Sequence, residues 1–502
     1  MSSTLESSPA TDALKQRFYD IDAITSAGSI MSWDQQCFMP RGAAEARSHH
    51  LAILGRMAHE MFVADETARL IEDANKEAAP GSVDEAMVRV TKRGYDLATK
   101  IPSSLVAEKL QLATMAHEEW MKARKNNDFK SFAPTLERMF EICRQEAEHL
   151  GYGDHIYDAL LDLYEEGAKK KDAEQMFSTV RQPLVDLVKD IKSNGRSVDN
   201  AFLTGDWPEA KQRAFTEEIV KAIGYDFNRG RQDTAPHPFC TNWSVTDVRI
   251  TTRFLPFLGS AVFGSLHEAG HGMYEQGSPM EWDRTPIVGG VSLGVHESQS
   301  RFWENIVGRS KEFWVKFLPD LKKTFPILDA VSLDDFHRAV NKVEPSLIRV
   351  EADEVTYNLH ILIRFELECA LLEGNLKIAD LPDAWNAKYT EYLGVTPTDD
   401  ANGCLQDVHW SGGMVGYFPT YSMGNLLSYQ FLAQMVSEIG DQKQAWSQGE
   451  FAPTLKWLQE KIYRQGKRYT PSDLVERVTG KPMGADDYLA GITAKYRAIY
   501  EI

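Results

Sequence analysis

Most of the chain follows a hydrophobic pattern with a period near 3.6 residues, which predicts amphipathic helices. In the first 200 residues the pattern runs through segments rich in Ala, Leu, Glu, Lys and Met, which end at Gly or Pro. The predicted helices there cover residues 10–27, 42–76, 83–98, 104–125, 131–150 and 172–192. We therefore expect a helical array in the N-terminal part of the protein.

The clearest helix signal of the second half covers residues 345–373. Pro345 stands in the first turn of this predicted helix, and Gly374 directly follows its last residue. Leucine, isoleucine and alanine residues form one apolar face along it. A helix of this length would reach roughly 43 Å at about 1.5 Å per residue. It is long enough to span a domain.

One segment predicts a strand instead. Residues 242–254 are β-branched and alternate, which puts Asp247, Arg249 and Thr251 on one face. Residues 396–423 are dense in glycine and aromatic residues and predict loops over a site. The expected fold class is therefore mostly α, with a small β-sheet.

Composition and charge narrow the class of protein. With 502 residues, 43% of them hydrophobic and 25% charged, the chain is globular and large enough for an enzyme. The net charge of −18 disfavours nucleic acid and anionic lipid as partners. No apolar run approaches the length of a membrane span, and the first residues do not form a secretory signal. Five scattered cysteines without a CxxC pair indicate reduced thiols in the cytoplasm.

The motif H-E-x-x-H occurs once, as His267, Glu268 and His271. On a helix, two histidines four residues apart lie one above the other and can bind one metal ion. Zinc suits such a site, with a third protein ligand and one open position. Glu268 would then act as the general base. On the motif alone, the alternative is a pair of surface or core histidines.

The third ligand stays open at this point. Glu275 lies on the stripe of the two histidines but too far along the helix axis to converge on the same ion. A second helix is predicted over residues 292–308, and Glu297 and Glu304 share one of its faces. Either carboxylate completes a His2Glu set, whereas His296 points away from Glu297 and is expected behind the ligands or in the core.

Four further motifs accompany H-E-x-x-H: D-x-R-x-T at 247–251, H-E-S-Q at 296–299, I-R-x-x-A-D at 348–353 and G-x-x-Q-D-x-H-W at 403–410. In this order they resemble the M32 family of metallocarboxypeptidases, the carboxypeptidase Taq type. Shorter likenesses occur at residues 33–35, 39–40, 225–227 and 237–239. The resemblance therefore covers nearly the whole chain.

The resemblance implies a zinc-type exopeptidase that releases single residues from peptide C-termini. It implies a mostly helical fold similar to neurolysin and angiotensin-converting enzyme, with a deep groove over the metal, and a homodimer. By the motif match, His267, His271 and Glu297 are the metal ligands and Glu268 is the base. Zn²⁺ is the expected ion, and Co²⁺ is an accepted substitute. We expect one unit over residues 1–502, mainly helical over 1–200, with the metal site and substrate groove in 201–502.

A carboxypeptidase must bind the terminal carboxylate of its substrate, and an arginine side chain suits this role. Arg349, in the first turns of the predicted helix 345–373, is our choice. The alternative is an ion pair between Arg349 and Asp353 that only braces the helix. Arg249 is the second candidate anchor, and its alternative is a structural pair with Asp247 on the same strand face.

His409 and Tyr421 are candidates to donate hydrogen bonds to the developing oxyanion, since a neutral imidazole and a phenol are both donors near neutral pH. The alternative is a buried histidine or tyrosine that bonds only to backbone. Two rival functions also remain: a neurolysin-like metallo-oligopeptidase, which cuts internally, and a non-catalytic metal-binding helical scaffold. Glu268 argues against the scaffold, because a purely structural site has no use for that carboxylate.

Overall fold

The computed structural model describes residues 8–502, and these residues are mostly helical. Within them, no helix is both long and apolar enough to cross a membrane. The α-helices are α1 (Pro9–Cys37), α2 (Ala44–Phe62), α3 (Asp65–Glu77), α4 (Val83–Lys100), α5 (Ser103–Asn126), α6 (Phe129–Leu150), α7 (Ile156–Asp162), α8 (Lys170–Asn194), α9 (Glu209–Ile223), α10 (Leu258–Gln276), α11 (Leu293–Arg301), α12 (Lys311–Thr324), α13 (Leu333–Val340), α14 (Tyr357–Leu372), α15 (Leu381–Leu393), α16 (Pro419–Ile439), α17 (Lys443–Gln448), α18 (Ala452–Lys461), α19 (Pro471–Thr479) and α20 (Asp486–Tyr500). The predicted fold class, mostly α with a small sheet, is confirmed.

The sheet has three strands in the order β1-β3-β2. They are β1 (Gln232–Thr234), β2 (Cys240–Ser244) and β3 (Asp247–Thr252). β1 runs parallel to β3, and β2 runs antiparallel to it. The prediction of one strand over 242–254 is wrong, because the chain turns at Val245, whose N–H donates to Asp283. The predicted alternation holds within β3.

The predicted N-terminal helices are present, and their bounds differ by more than two residues in two places. α1 continues ten residues past the predicted end at residue 27. The predicted helix 42–76 is two helices, α2 and α3. The carbonyl of Met61 accepts hydrogen bonds from the side chains of Arg17 and Thr67 and so helps to end α2.

The predicted helix 345–373 begins twelve residues late, at Tyr357 in α14. Asp353 explains the start: its carboxylate accepts the N–H groups of Val355 and Thr356 and the hydroxyl of Thr356, as an N-terminal cap does. The segment before it is irregular, with a 3₁₀ turn at Arg349–Glu351. Pro345 was therefore a misleading start signal, and Arg349 is not in the helix.

Two glycines let three helices approach closely around the centre of the molecule. A Cβ at Gly270 of α10 would lie 2.6 Å from the carbonyl oxygen of Gln299 in α11. A Cβ at Gly424 of α16 would lie 2.5 Å from Cγ of Glu297 in α11. Neither position has room for a larger residue, so the backbone of α11 lies directly between α10 and α16.

Among the described residues, buried hydrophobic side chains form one large core, with members from Ala116 to Tyr500, and one small core. The small core joins α1, α3 and α4 to the loop after α10, through Leu14, Ile71, Met87 and Ile287. The first helices therefore pack mainly on each other, and the large core supports the rest.

The most buried carboxylate of α14 is Glu368, whose side chain is fully inaccessible to solvent. It accepts hydrogen bonds from Nε1 of Trp410, from the hydroxyl of Tyr157 and from the N–H of Gly416. Burial nevertheless raises the pKa of Glu368 to about 7. Its folded-state pKa therefore exceeds the value of 4.5 expected in the unfolded chain.

We predict that Glu368→Gln changes how stability depends on pH. A raised folded-state pKa gives stability that is present below pH 4.5 and is lost as pH rises to about 7. Glutamine does not ionise, so the free energy of unfolding of the variant, relative to the unmodified protein, should rise by on the order of 3 kcal/mol between pH 5 and pH 8. Chemical denaturation at both pH values measures this. Glu366→Gln, on the same helix but paired with Lys388 at the surface, is the control. If the free energy of unfolding of Glu368→Gln, relative to the unmodified protein, is the same at both pH values, the Glu368 carboxylate is ionised in the folded protein at both.

Candidate metal centre

His267, His271 and Glu297 converge at the junction of α10 and α11. The histidines lie one turn apart on α10, as the motif predicts. Nε2 of His267 is 3.6 Å, and Nε2 of His271 is 3.4 Å, from the same oxygen of Glu297, Oε2. One nitrogen or oxygen atom from each residue lies within 4.8 Å of the other two. These three side chains are therefore arranged to hold a metal ion.

The orientation of His267 is set by Glu304. Nδ1 of His267 lies 2.9 Å from Oε2 of Glu304. The carboxylate only accepts hydrogen bonds, so Nδ1 carries a hydrogen and Nε2 is the nitrogen left to bind a metal ion. Glu304 lies in a π-helical turn, Phe302–Gly308, that continues α11. Glu297 and Glu304 thus face opposite nitrogens of one imidazole.

The orientation of His271 is set by a chain of two further residues. Nδ1 of His271 lies 2.6 Å from Nδ1 of His296, and Nε2 of His296 lies 2.7 Å from Oε1 of Glu275. Glu275 also accepts the N–H of Gly290 and an amide hydrogen of Asn242. His296 therefore lies between His271 and Glu275, and neither His296 nor Glu275 belongs to the converging group of His267, His271 and Glu297.

Two arginines compensate the charge of the carboxylates. Nε of Arg301 lies 2.7 Å from Oε1 of Glu297, which leaves Oε2 for the histidines. Burial opposes ionisation, but Arg301 and His267 hold the pKa of Glu297 well below its usual range. For Glu304, burial is outweighed by His267, Arg301 and Arg309, which lower the pKa to about 2. Both carboxylates are ionised at neutral pH.

Glu268 differs from its neighbours. It is 7% exposed, and burial, with repulsion by Glu297 and Glu304, raises its pKa to about 7. Burial also lowers the pKa of His271 to about 4, so that this imidazole is neutral and free to bind a metal. The arrangement combines a candidate metal site with a carboxyl group that can gain or lose a proton near neutral pH.

Arg349 lies in a buried ion cluster and not in an ion pair with Asp353. Its Nε and Nη2 bind Oδ1 of Asp407 at 2.9 and 2.8 Å, while Arg364 binds Oδ2. The predicted alternative, in which Asp353 braces Arg349, is wrong, because Asp353 caps α14. Two guanidinium groups share one carboxylate, so the cluster carries an uncompensated positive charge.

Tyr357 connects this cluster to the metal centre. Its hydroxyl accepts a hydrogen bond from Nη1 of Arg349 at 3.0 Å. The guanidinium carbon of Arg301 lies 4.4 Å from the centre of its ring. Since Arg301 binds Glu297, one aromatic side chain separates Arg349 from the arginine that holds the candidate ligand.

His409 and Tyr421 lie beside the same cluster. Nε2 of His409 is 3.3 Å from the hydroxyl of Tyr421, and the guanidinium of Arg349 lies over the Tyr421 ring. Burial, reinforced by Arg349 and Arg364, lowers the pKa of His409 to about 3 although Asp407 opposes the shift. Burial raises the pKa of Tyr421 well above its usual value. Both groups are neutral near pH 7.

Arg249 makes the contacts of the structural alternative. Its Nε and Nη2 bind the two carboxylate oxygens of Asp247, each at 2.9 Å. Its guanidinium lies between the rings of Trp33 and Trp243, 4.2 and 4.6 Å from their centres. Ile250 packs on α10, so the alternation along β3 directs Arg249 to the opposite face of the sheet, away from α10.

Sequence reasoning missed several residues that contact the candidate ligands, His296 or Arg349. Glu275 was considered only as a ligand, and Arg301, Arg364 and Asp407 were given no role. Asp407 was visible inside the G-x-x-Q-D-x-H-W motif, and Arg301 is the second residue after H-E-S-Q. No sequence signal identified Arg364, because its partner lies 43 residues away.

The sequence profile of the family described as carboxypeptidase Taq (M32) metallopeptidase matches residues 13–496. The chain is 43% identical to thermostable carboxypeptidase 1 of Thermus thermophilus over 491 residues, which cover 95% of this chain and 96% of that protein. It is 36% identical to carboxypeptidase 1 of Bacillus subtilis over 493 residues, with 97% and 98% covered.

Solved structures agree with these relatives. The M32 carboxypeptidase from Deinococcus radiodurans superposes with a TM-score of 0.96 at 37% identity, covering 99% of this chain and all of that chain. Metallocarboxypeptidase 1 of Trypanosoma cruzi superposes with a TM-score of 0.93 at 34% identity, covering 97% and 99%. The likeness therefore extends over the full architecture.

We predict that Glu297 and Glu304 differ in their effect on metal binding. Glu297→Ala removes the oxygen that faces both Nε2 atoms and should abolish stoichiometric binding of Zn²⁺. Glu304→Ala removes only the acceptor of the His267 N–H and should weaken binding by about 10- to 100-fold. Glu304→Gln keeps an acceptor oxygen and is the matched control. Titration against a chelating dye measures all three, and a larger loss for Glu304→Ala than for Glu297→Ala would transfer the ligand role to Glu304.

Proposed function

Because the chain belongs to the M32 family of metallocarboxypeptidases, we propose that it releases single amino acids from the C-terminus of peptides with the help of a bound Zn²⁺ ion. His267, His271 and Glu297 would hold the ion, and Glu268 would act as the general base. The observation that carries this proposal is the convergence of both Nε2 atoms on one oxygen of Glu297, next to a buried carboxyl group that titrates near neutral pH.

The donor set fits zinc. Two neutral imidazole nitrogens and one carboxylate oxygen are the ligands of many catalytic zinc sites. Ligand atoms at bond lengths of about 2.0–2.1 Å in a tetrahedral site lie roughly 3.4 Å apart, close to the 3.4 and 3.6 Å between the histidine nitrogens and Glu297. Bound zinc would supply a Lewis acid that polarises the scissile carbonyl. Co²⁺ accepts the same ligands and is the expected substitute.

The protein's own residues supply the remaining chemistry. Glu268 would take a proton from the attacking water and deliver it to the leaving amine, a role that suits a pKa of about 7. His409 and Tyr421 are neutral donors, and we propose that they bind the oxygen on which negative charge develops.

Arg349 is our proposed anchor for the terminal carboxylate of the substrate. Its cluster with Arg364 and Asp407 has one positive charge in excess, which a substrate carboxylate would neutralise. Arg349 also adjoins the metal ligands through Tyr357. Arg249 is the weaker candidate, because its guanidinium is already engaged by Asp247 and two tryptophans; we assign this pair to shaping the sheet beside the groove.

Two further properties complete the proposal. All five cysteines are free thiols, which suits a reducing compartment, and we propose the cytoplasm. The family resemblance supports a homodimer. The mass of the purified protein in solution by light scattering, against 56.7 kDa for one chain, tests the dimer directly.

We predict that removal of metal with a strong chelator abolishes peptidase activity and that Zn²⁺ or Co²⁺ restores it. Glu268→Gln should retain metal but lose the general base, with kcat lower by on the order of 10² to 10⁴. Elemental analysis of the variant separates loss of the base from loss of metal. Normal turnover by Glu268→Gln would mean that another group is the general base. Bound metal without any hydrolysis by the unmodified protein would favour the non-catalytic scaffold.

We predict that the enzyme prefers peptides with a free C-terminal carboxylate over the matching C-terminal amides. A charge-assisted contact with Arg349 stabilises only the free acid, by roughly 1.5 to 3 kcal/mol, which corresponds to about 10- to 150-fold in kcat/KM. Arg349→Ala should remove most of this preference, and Asp407 keeps Arg364 as its partner in that variant.

Arg249→Ala serves as the matched control for this prediction. If only Arg249→Ala equalises the two substrates, the anchor lies on β3. Equal cleavage of acid and amide by the unmodified enzyme, with internal fragments among the products, would replace the exopeptidase by an oligopeptidase of the neurolysin type. Mass spectrometry of the products distinguishes these cases.

A further inference from the structure

Glu275 is a buried carboxylate that the proposed reaction does not use. It lies one turn beyond His271 on α10, is 7% exposed, and accepts three hydrogen bonds. The donors come from three different segments: Nδ2 of Asn242 in β2, the N–H of Gly290, and Nε2 of His296 in α11. Burial opposes its ionisation, but the hydrogen bonds from His296 and from the N–H of Gly290 lower its pKa. Glu275 is therefore an acceptor at neutral pH.

This acceptor determines which nitrogen of His296 carries a hydrogen. Nε2 of His296 lies 2.7 Å from Oε1 of Glu275, so Nε2 must be the donor. In a neutral imidazole the other nitrogen, Nδ1, is then an acceptor. It faces Nδ1 of His271 at 2.6 Å, and two nitrogens at this distance need one hydrogen between them.

The same reasoning then determines the state of His271. If Nδ1 of His296 accepts, Nδ1 of His271 must donate, and the hydrogen of the neutral His271 ring is on Nδ1. Its Nε2, which lies 3.4 Å from Oε2 of Glu297, then keeps a lone pair. The opposite set of tautomers places a hydrogen on Nε2 of His271, and a protonated Nε2 cannot bind a metal.

We propose that Glu275 is a positioning residue that fixes the metal-binding tautomer of His271 through His296. The inference rests on the proposed metal site. It adds a residue that influences metal binding but contacts neither the metal nor the substrate. Without this acceptor, His296 is free to carry its hydrogen on Nδ1 and donate to His271, which moves the hydrogen of His271 to Nε2.

The test compares three variants. Glu275→Ala removes the acceptor. Glu275→Gln keeps an amide oxygen that accepts from His296, while Asn242 turns its own amide to match. Glu165→Ala is the matched control, because Glu165 is also buried and holds the start of α11 through Ser292 and Gly294 but makes no contact with His296.

Two measurements are made on each protein. The affinity for Zn²⁺ alone is measured by competition with a chelating dye. The tautomer of His271 is read in the metal-free protein from ¹H–¹⁵N spectra of ¹⁵N-histidine-labelled samples, with His271→Asn to assign the signal. We expect Nδ1–H in the unmodified protein and in Glu275→Gln and Glu165→Ala. We expect Nε2–H in Glu275→Ala, with Zn²⁺ affinity lower by about 10- to 100-fold.

Several results would overturn the proposal. An Nε2–H tautomer of His271 in the unmodified protein does so without any variant. A loss of Zn²⁺ affinity in Glu275→Ala without a change of tautomer, an equal loss in Glu165→Ala, or no change at all would each do the same. If the unmodified protein shows the Nδ1–H tautomer but binds no Zn²⁺, the metal function fails and the positioning role of Glu275 stands.

Discussion

The protein is organised around four carboxylates buried in one place, at Glu268, Glu275, Glu297 and Glu304. Removing a carboxylate from water is costly unless a positive charge or hydrogen-bond donors replace the solvent. Three of the four are compensated: Glu297 by Arg301, Glu304 by His267, Arg301 and Arg309, and Glu275 by His296, Gly290 and Asn242. For Glu268, burial together with repulsion by Glu297 and Glu304 raises the pKa to about 7.

The packing of the helices follows from this requirement. Imidazoles on α10 reach carboxylates on α11 only if the two helices lie almost in backbone contact, which Gly270 allows. α16 closes the other side of α11 at Gly424. The π-helical turn after α11 then continues the chain so that Glu304 faces Nδ1 of the histidine whose Nε2 faces Glu297. Small residues and one irregular turn thus bring the charges together.

Much of the site was predictable because its parts are local. The i,i+4 spacing of His267 and His271 requires only a helix, and α10 supplies it. The choice between Glu297 and Glu304 was not predictable from spacing, since both share one helix face; the motif match favoured Glu297. Arg349 was placed in the wrong element, because Pro345 looked like a helix start and Asp353, the residue that caps α14, was read only as its ion-pair partner.

By itself, the sequence determined the mostly helical class, the presence of a metal-binding motif and the family, since each is encoded in periodicity or in contiguous motifs. Only the tertiary structure decided what each polar group contacts. Arg249 pairs with Asp247 between two tryptophans, Arg349 shares Asp407 with Arg364, and His296 bonds to both Glu275 and His271. Some of these partners are far apart in the chain. A hydrogen bond between them forms only if the two atoms are placed to within a few tenths of an ångström. Periodicity sets which face of a helix is buried, but it does not set which polar atoms meet there.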